Sequence, residues 1–368
     1  MRKILRNLLI LAAMVGVLCL LLYHSRGALA KEGFSWTAME NSVRQTRIGL
    51  VLLAAGVIYL CYVIRAIRWM AFSRYLGKTR FWNVVASTFM GFSAIFLLGR
   101  AGEPVRPLLI ARKDRLSVSG TFGIYVLERV FDASATLALF GLGLILATGH
   151  LTNARNESTI VAVRSGGLAL LALLVMIVGF LVYFRMHGAT WFERRMAAWH
   201  GAHGWRHRVS QISVGFSQGL QAIRTWRDLF EAIAYSIVHW GLVVVAFLWV
   251  CHSFSGRLAH LGFVDMMLLL GVTLMGAIIQ LPAIGGGAQA ATFLALTAFF
   301  GIAPGPAVAA AIVLWLVTFS AVLILGVPLF IHQGFSMSQL WKLASESKRE
   351  EEIAEEDVVE QRSERVRP

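Results

Sequence analysis

Charge is what this chain lacks most. Only 15% of its 368 residues are Asp, Glu, Lys or Arg, and 57% are hydrophobic. Water-soluble domains carry roughly 25% charged residues, so a soluble globular enzyme is excluded. The mean hydropathy of +0.68 points to a polytopic membrane protein. Cysteine is nearly absent as well. Cys19, Cys61 and Cys251 stand singly in apolar runs, with no CxxC and no metal spacing, and read as packing residues. No Gly-x-Ser-x-Gly, P-loop, His-Glu-x-x-His or dinucleotide fingerprint occurs. The expectation is therefore a protein that is not an enzyme and has no cofactor.

Long apolar runs are plentiful. Those of about 18 residues or more read as membrane spans, near 7–23, 47–64, 119–148, 162–184, 229–251, 263–281 and 306–331. Shorter or interrupted pieces lie at 81–99, 104–110 and 287–300. Arg2, Lys3 and Arg6 precede the first run, which is long for a signal-peptide core and lacks a following Ala-x-Ala site, so it reads as an uncleaved signal anchor. Residues 1–335 form the expected membrane domain. The remainder, 336–368, reads as a charged, disordered cytoplasmic tail with nine carboxylates against six bases.

The overall net charge is +14. In a membrane protein such an excess marks cytoplasmic loops and anionic headgroups rather than nucleic acid, for which no soluble basic module exists. A basic N-terminus, a cluster of Arg65, Arg68, Arg74, Lys78 and Arg80, and another of Arg112, Lys113 and Arg115 all read as cytoplasmic. With a later cytoplasmic return, both termini are expected inside. Trp36, Trp69, Trp82 and Trp191 read as interfacial aromatics.

Two consecutive cytoplasmic clusters cannot flank a single span. The sequence between them therefore predicts a re-entrant hairpin: 81–99 enters, the chain breaks at Gly99–Pro104, and 104–112 returns. A return leg of about 9 residues is only about 13 Å long and cannot cross. A second break, Leu-Pro-Ala-Ile-Gly-Gly-Gly at 281–287, interrupts the last third. The expected fold is an all-α polytopic helix bundle with two re-entrant or broken helix hairpins. Interrupted helices in both halves are the pattern of inverted-repeat transporters, although chance similarity could mimic it.

The candidate site residues cluster at these breaks. Glu103 can cap a helix starting at Pro104, with Arg100 and Arg106 beside its positive end, an arrangement suited to phosphate or carboxylate. The bland alternative is a headgroup anchor with Glu103 and Arg106 paired. Further on, Glu128-Arg129-Val130-Phe131-Asp132 lies about ten residues into a helix, with Glu128 and Asp132 one turn apart on one face. Such carboxylates need a base, and Arg100 and Arg106 are the expected partners. A structural ion-pair network and a substrate or proton pathway both remain open. At the second break, Pro282, Gly286, Gly287 and Gln289 form either a gate with accessible backbone or a plain hinge. His200, His203 and His207 share a helical face without a carboxylate or thiol nearby and read as solvated, so no metal site is expected.

With those residues in view, the chain resembles the lysylphosphatidylglycerol synthase transmembrane-region family, also called flippase-like membrane proteins. The matching features are Gly99-Arg100 with Gly102-Glu103 and Arg106, then Glu128-Arg129-Val130-Phe131-Asp132, then the proline–glycine break at 282–287. They cover roughly residues 45–332. The family usually carries a glutamate shortly after the glycines, where this chain has Gln289. The acidic tail leaves no expected room for an aminoacyl-transferase domain. The resemblance implies lipid translocation without lipid synthesis, in a bacterial inner membrane. The lipids it implies are phospholipids, aminoacylated lipids, hopanoids or polyprenyl phosphates. An anionic headgroup would meet Arg100 and Arg106, whereas a cationic one would meet Glu103, Glu128 and Asp132. The alternative is a non-transporting scaffold or accessory subunit of a lipid- or glycan-modifying pathway. A homo-oligomer or a partner lipid-modifying enzyme is left open.

Overall fold

The computed structural model describes residues 35–146, 157–183, 222–281 and 285–333. The expected first span, most of the basic connector with its three histidines, Pro282 and the acidic tail lie outside the described residues. The chain folds as an all-α bundle. Its helices are α1 (Trp36–Arg44), α2 (Ile48–Ser73), α3 (Phe81–Leu98), α4 (Val105–Asp114), α5 (Val118–Leu146), α6 (Glu157–Tyr183), α7 (Trp226–Ser253), α8 (Phe263–Gly276), α9 (Gly287–Ala298), α10 (Pro304–Trp315) and α11 (Leu323–His332). The described strand content is two residue pairs, β1 (Gln280–Leu281) and β2 (Gly285–Gly286).

Among the described residues, five helical stretches are long and apolar enough to cross a membrane: Ile48–Ser73, Phe81–Gly102, Val118–Leu146, Trp226–Ser253 and Pro304–His332. Large apolar side chains such as Leu52, Ile237 and Ile324 cover their outer faces, a surface that water does not tolerate and lipid does. Inside, α2 packs along α7, and α5 packs against both α6 and α8. The α2–α7 pair is tied at one end by the Arg47 amide donating to the Ser253 carbonyl at 2.8 Å. At the other end, Arg74 pairs with Asp228 and Glu231. Asp228 also completes the capping box of α7 with Thr225. It accepts from Tyr75 Oη at 2.9 Å, a bond that holds the Tyr75 phenol above its ordinary pKa.

Two sequence expectations change here. The run predicted as a span over 263–281 ends as a helix at Gly276, only 14 residues long and about 21 Å at 1.5 Å per residue. The span predicted to stop at residue 64 continues to Ser73, so Arg65 and Arg68 lie on α2 rather than in a cytoplasmic loop. Apolar residues Ala66, Trp69 and Phe72 carry the helix past the arginines, and all three are buried. Trp69 is therefore a core residue and not an interfacial one.

Both breaks form tight antiparallel helix pairs. Within α3–α4, a Cβ on Gly102 would strike the Ala94 backbone, and a Cβ on Gly91 would strike Arg106. At the open end, Asn83 Nδ2 donates to Asp114 Oδ1 at 2.6 Å. Contacts that run inward on one helix thus run outward on the other, and the two ends meet at Asp114. The α8–α9 pair follows the same rule. Gly287 abuts the Gly276 carbonyl, and the hydroxyls of Thr273 and Thr292 bond at 2.7 Å. Small residues and hydroxyl pairs are the usual means of close helix approach without water.

The last helical stretch is also interrupted. A π-helical turn at Leu316–Ser320 separates α10 from α11, a local irregularity of the kind that occurs as single turns inside α-helices. Side chains from other helices add second bonds to the carbonyls that follow it: Tyr59 Oη donates to Ala321 O at 2.7 Å, and Ser93 Oγ to Val322 O at 3.2 Å.

Gly91 offers a direct test of the α3–α4 pairing. Gly91→Leu overfills the contact with Arg106 and is expected to destabilise the protein by about 1–3 kcal/mol. Gly56 has open space where its Cβ would stand, so Gly56→Leu leaves the thermal unfolding midpoint in detergent unchanged.

Candidate functional site

The site is assembled from four helices. From α2 come Arg65, Arg68 and Trp69, from α4 Arg106, from α5 Glu128, Arg129 and Asp132, and from α7 Ser236. Four residues of this group are almost wholly enclosed: Trp69 at 0%, Arg68 at 1%, Glu128 at 1% and Arg106 at 2% exposure. The spacing of Glu128 and Asp132, one turn apart, presents both carboxylates to α2. The spacing of Arg65 and Arg68 presents two guanidinium groups in return.

Each carboxylate is shared. Glu128 accepts from Arg68 Nη2 at 3.0 Å through Oε1 and from Arg106 Nη1 at 2.7 Å through Oε2. Asp132 accepts from Arg68 Nη2 at 2.7 Å through Oδ1 and from Arg65 Nη2 through Oδ2. Arg129, the most exposed member with a side chain 39% accessible, reaches Asp132 Oδ2 at 3.3 Å. Arg68 Nη1 donates to Ser236 Oγ at 2.9 Å. Removing charges from water costs several kcal/mol per ion, and a buried network survives only when its geometry returns that cost.

Aromatic rings supply part of the return. The Arg106 guanidinium lies 4.7 Å from the Trp69 ring centre and 5.6 Å from that of Phe92. Arg65 lies 4.8 Å from the same Phe92 ring. Desolvated cation–π contacts of this kind contribute about 2 kcal/mol. Gly91 lets the α4 backbone come close enough for Arg106 to reach between these groups.

The first break departs from the sequence expectation in two places. Glu103 does not cap α4: Pro104 occupies the cap position and no side chain bonds there. Glu103 instead accepts a hydrogen bond from Tyr125 Oη, because the 3₁₀ turn Gly99–Gly102 points its carboxylate toward α5. Arg100 is not a partner of Glu128 or Asp132. It is exposed and donates from Nη2 to the Ile278 carbonyl at 3.0 Å, joining the first break to the end of α8. The two breaks therefore touch, an arrangement that the sequence could only place in separate halves.

At the second break, Gly285 and Gly286 adopt φ of +81° and +99°, a region that favours glycine. Gln289 Oε1 accepts from the Gly286 amide at 2.7 Å and caps the start of α9. It does there what Glu103 was expected to do at α4. Gly287 provides the close crossing with α8.

Of the expected site residues, Arg106, Glu128, Arg129 and Asp132 converge in one buried cluster. Arg100 and Glu103 stand at the break, and Gly286, Gly287 and Gln289 form the second break. Sequence reasoning missed Arg65, Arg68, Ser236, Tyr125 and Phe92. The signal for the two arginines was their one-turn spacing at the end of an apolar run, matching that of Glu128 and Asp132. Among the described residues no group of three His, Cys, Asp or Glu side chains could hold a metal ion.

A multi-pass helical bundle with a buried guanidinium–carboxylate core and lipid-compatible apolar outer faces defines an integral membrane protein. The family model described as lysylphosphatidylglycerol synthase TM region matches residues 8–326. The chain belongs to that family. No curated protein matches it significantly.

Glu128→Gln removes the charge that Arg68 and Arg106 share and is expected to cost about 3–5 kcal/mol of stability, as breaking a buried pair does. Denaturant titration in detergent measures it. Glu40→Gln, which breaks an exposed pair with Arg44, is expected to cost no more than about 0.5 kcal/mol.

Proposed function

We propose that the protein is a flippase-like translocase that moves a polar-headgroup lipid across the inner membrane and catalyses no covalent chemistry. The observation that carries this reading is the buried cluster on α2, α4 and α5, lying beside the junction of two interrupted helix pairs. Charges in hydrocarbon are rare and serve pathways for polar cargo. Interrupted helices at mid-depth are tolerated where they line a cavity.

The connection between break and cluster is continuous. Glu103 holds Tyr125, the Tyr125 ring lies 5.3 Å from the Arg129 guanidinium, and Arg129 reaches Asp132. A headgroup released from the cluster would thus meet the break next, where Arg100 clasps the Ile278 carbonyl. Opening that clasp separates α3–α4 from α8–α9 and would give the headgroup its exit. In this reading both helix pairs are re-entrant. The open end of α3–α4, flanked by Lys78, Arg80, Arg112 and Arg115, faces the cytoplasm together with both termini.

The partners proposed are therefore membrane lipids. The alternative scaffold role would leave the cluster without cargo. It becomes the better reading if cluster variants that fold lose no function while surface-loop variants do.

Headgroup accessibility of labelled lipids in proteoliposomes tests the proposal. The wild-type protein is expected to speed the exchange of an anionic phospholipid between leaflets. Arg106→Gln is expected to slow it roughly 10- to 100-fold, corresponding to the loss of one charge-assisted hydrogen bond of about 1.5–3 kcal/mol. Exchange equal to that of empty liposomes for anionic, cationic and isoprenoid lipids alike would reject translocation.

A further inference from the structure

We infer that His239 is a proton-binding site of the buried core, and that its protonation loosens the core and couples translocation to a proton gradient. The inference rests on the translocase reading and gives it an energy source.

Across Ala232–Val250, the apolar body of α7, His239 is the one side chain that gains a charge near neutral pH. Ionisable residues at that depth are rare and serve function. His239 is buried. Ser236, one turn before it on α7, accepts from Arg68 Nη1 at 2.9 Å. The His239 carbonyl accepts from Cys61 Sγ at 3.7 Å. This face of α7 is therefore turned to the arginines of α2.

The charges that act on the imidazole come from two helices packed on α7: Arg65 and Arg68 of α2, and Asp132 and Glu128 of α5. The Cys61 thiol is the other titratable group of α2 at this level. The remaining neighbours of α7 add no charge here. Helix α8 carries only Asp265, in its first turn, and α10 has no ionisable residue.

Glu128 and Asp132 each accept from two arginines already. The imidazole has a nitrogen left over, because Nδ1 is buried with no hydrogen-bond partner. A neutral imidazole keeps one bare nitrogen, whose lone pair takes a proton from hydronium and leaves water. The imidazolium then has two N–H donors to satisfy, and a buried donor without an acceptor is costly. The closed core thus fits the neutral ring and not the charged one. Asp132 is the carboxylate that pairs with Arg65 and also acts on His239. Turning it toward the imidazolium releases Arg65 and loosens the tie between α2 and α5. Return of the proton to water restores the closed core.

Trp240 makes the proton observable, because its ring meets the His239 ring edge to face with centroids 5.2 Å apart. An imidazolium in that contact quenches indole emission. Purified protein in detergent is taken from about pH 8 to about pH 5, the range in which histidine changes charge. The difference between wild type and Trp240→Phe isolates this tryptophan among the 11 in the chain. The expected result is a reversible quenching step, absent from His239→Gln and retained in His252→Gln at the far end of α7. No Trp240-dependent step, or the same step in a monodisperse His239→Gln, would overturn the inference. If His239→Gln does not fold, the wild-type difference decides alone.

Coupling is read in proteoliposomes with the membrane potential clamped. With one proton moved per lipid, a gradient of one pH unit biases a headgroup-labelled phospholipid about tenfold between leaflets. His239→Gln is expected to show no such bias. Lipid exchange in the wild type that ignores the gradient would also overturn the inference. A quenching step without lipid exchange at any pH would reject the translocase and keep the proton site. Exchange without the step would do the reverse.

Discussion

The structure depends on one constraint: charged side chains placed inside an apolar bundle must satisfy one another. Glu128 and Asp132 on α5 face Arg65 and Arg68 on α2, and Arg106 enters from α4 between them. That requirement sets the rotation of three helices about their axes. A turn of one residue on α5 would move both carboxylates away from α2 and leave the arginines stranded. Buried ion pairs give little net stability over an apolar core, yet they penalise every arrangement that leaves a member unpaired. The cluster therefore selects a packing more than it strengthens one.

The rest of the fold shows the same physics applied to the backbone. Among the described residues, interruptions in the helices are met by donors or acceptors from elsewhere. Tyr59 and Ser93 serve the carbonyls after the π-helical turn. Gln289 caps α9, and Arg100 takes a carbonyl at the end of α8. Glycines at positions 91, 102 and 287 admit neighbouring backbone where any side chain would collide. Breaks of this kind are tolerable in a membrane protein when the groups they release are bonded within the protein, as the Ile278 carbonyl is by Arg100. Their meeting beside the charged core is what makes the site a candidate for moving polar cargo.

Much of this was legible in the sequence. The apolar runs predicted the positions of α2, α5, α6, α7 and the final helical stretch, because run length and helix length obey the same geometry. The one-turn spacing of Glu128 and Asp132 announced a buried carboxylate face, and Arg106 was correctly expected to meet it. Arg65 and Arg68 were misread because charge at the end of an apolar run looks the same whether it meets water or a partner helix. Only the tertiary partner distinguishes them. The role expected of Glu103 failed for a related reason: a 3₁₀ turn between Gly99 and Pro104 redirects the side chain, and no local pattern encodes that. The second break was visible as glycines, but its contact with Arg100 spans 178 residues of sequence separation and had no local signal.

The proposed translocation requires lipid headgroups to pass through the cluster on α2, α4 and α5. The most direct test is photo-crosslinking in vesicles that contain a headgroup-labelled anionic phospholipid, with p-benzoylphenylalanine placed at Phe92 or at the outward-facing Leu52. Position 92 is expected to give a labelled adduct that excess unlabelled anionic lipid suppresses, and position 52 an adduct that it suppresses no more than neutral lipid does. Labelling from position 52 with none from position 92 would contradict it.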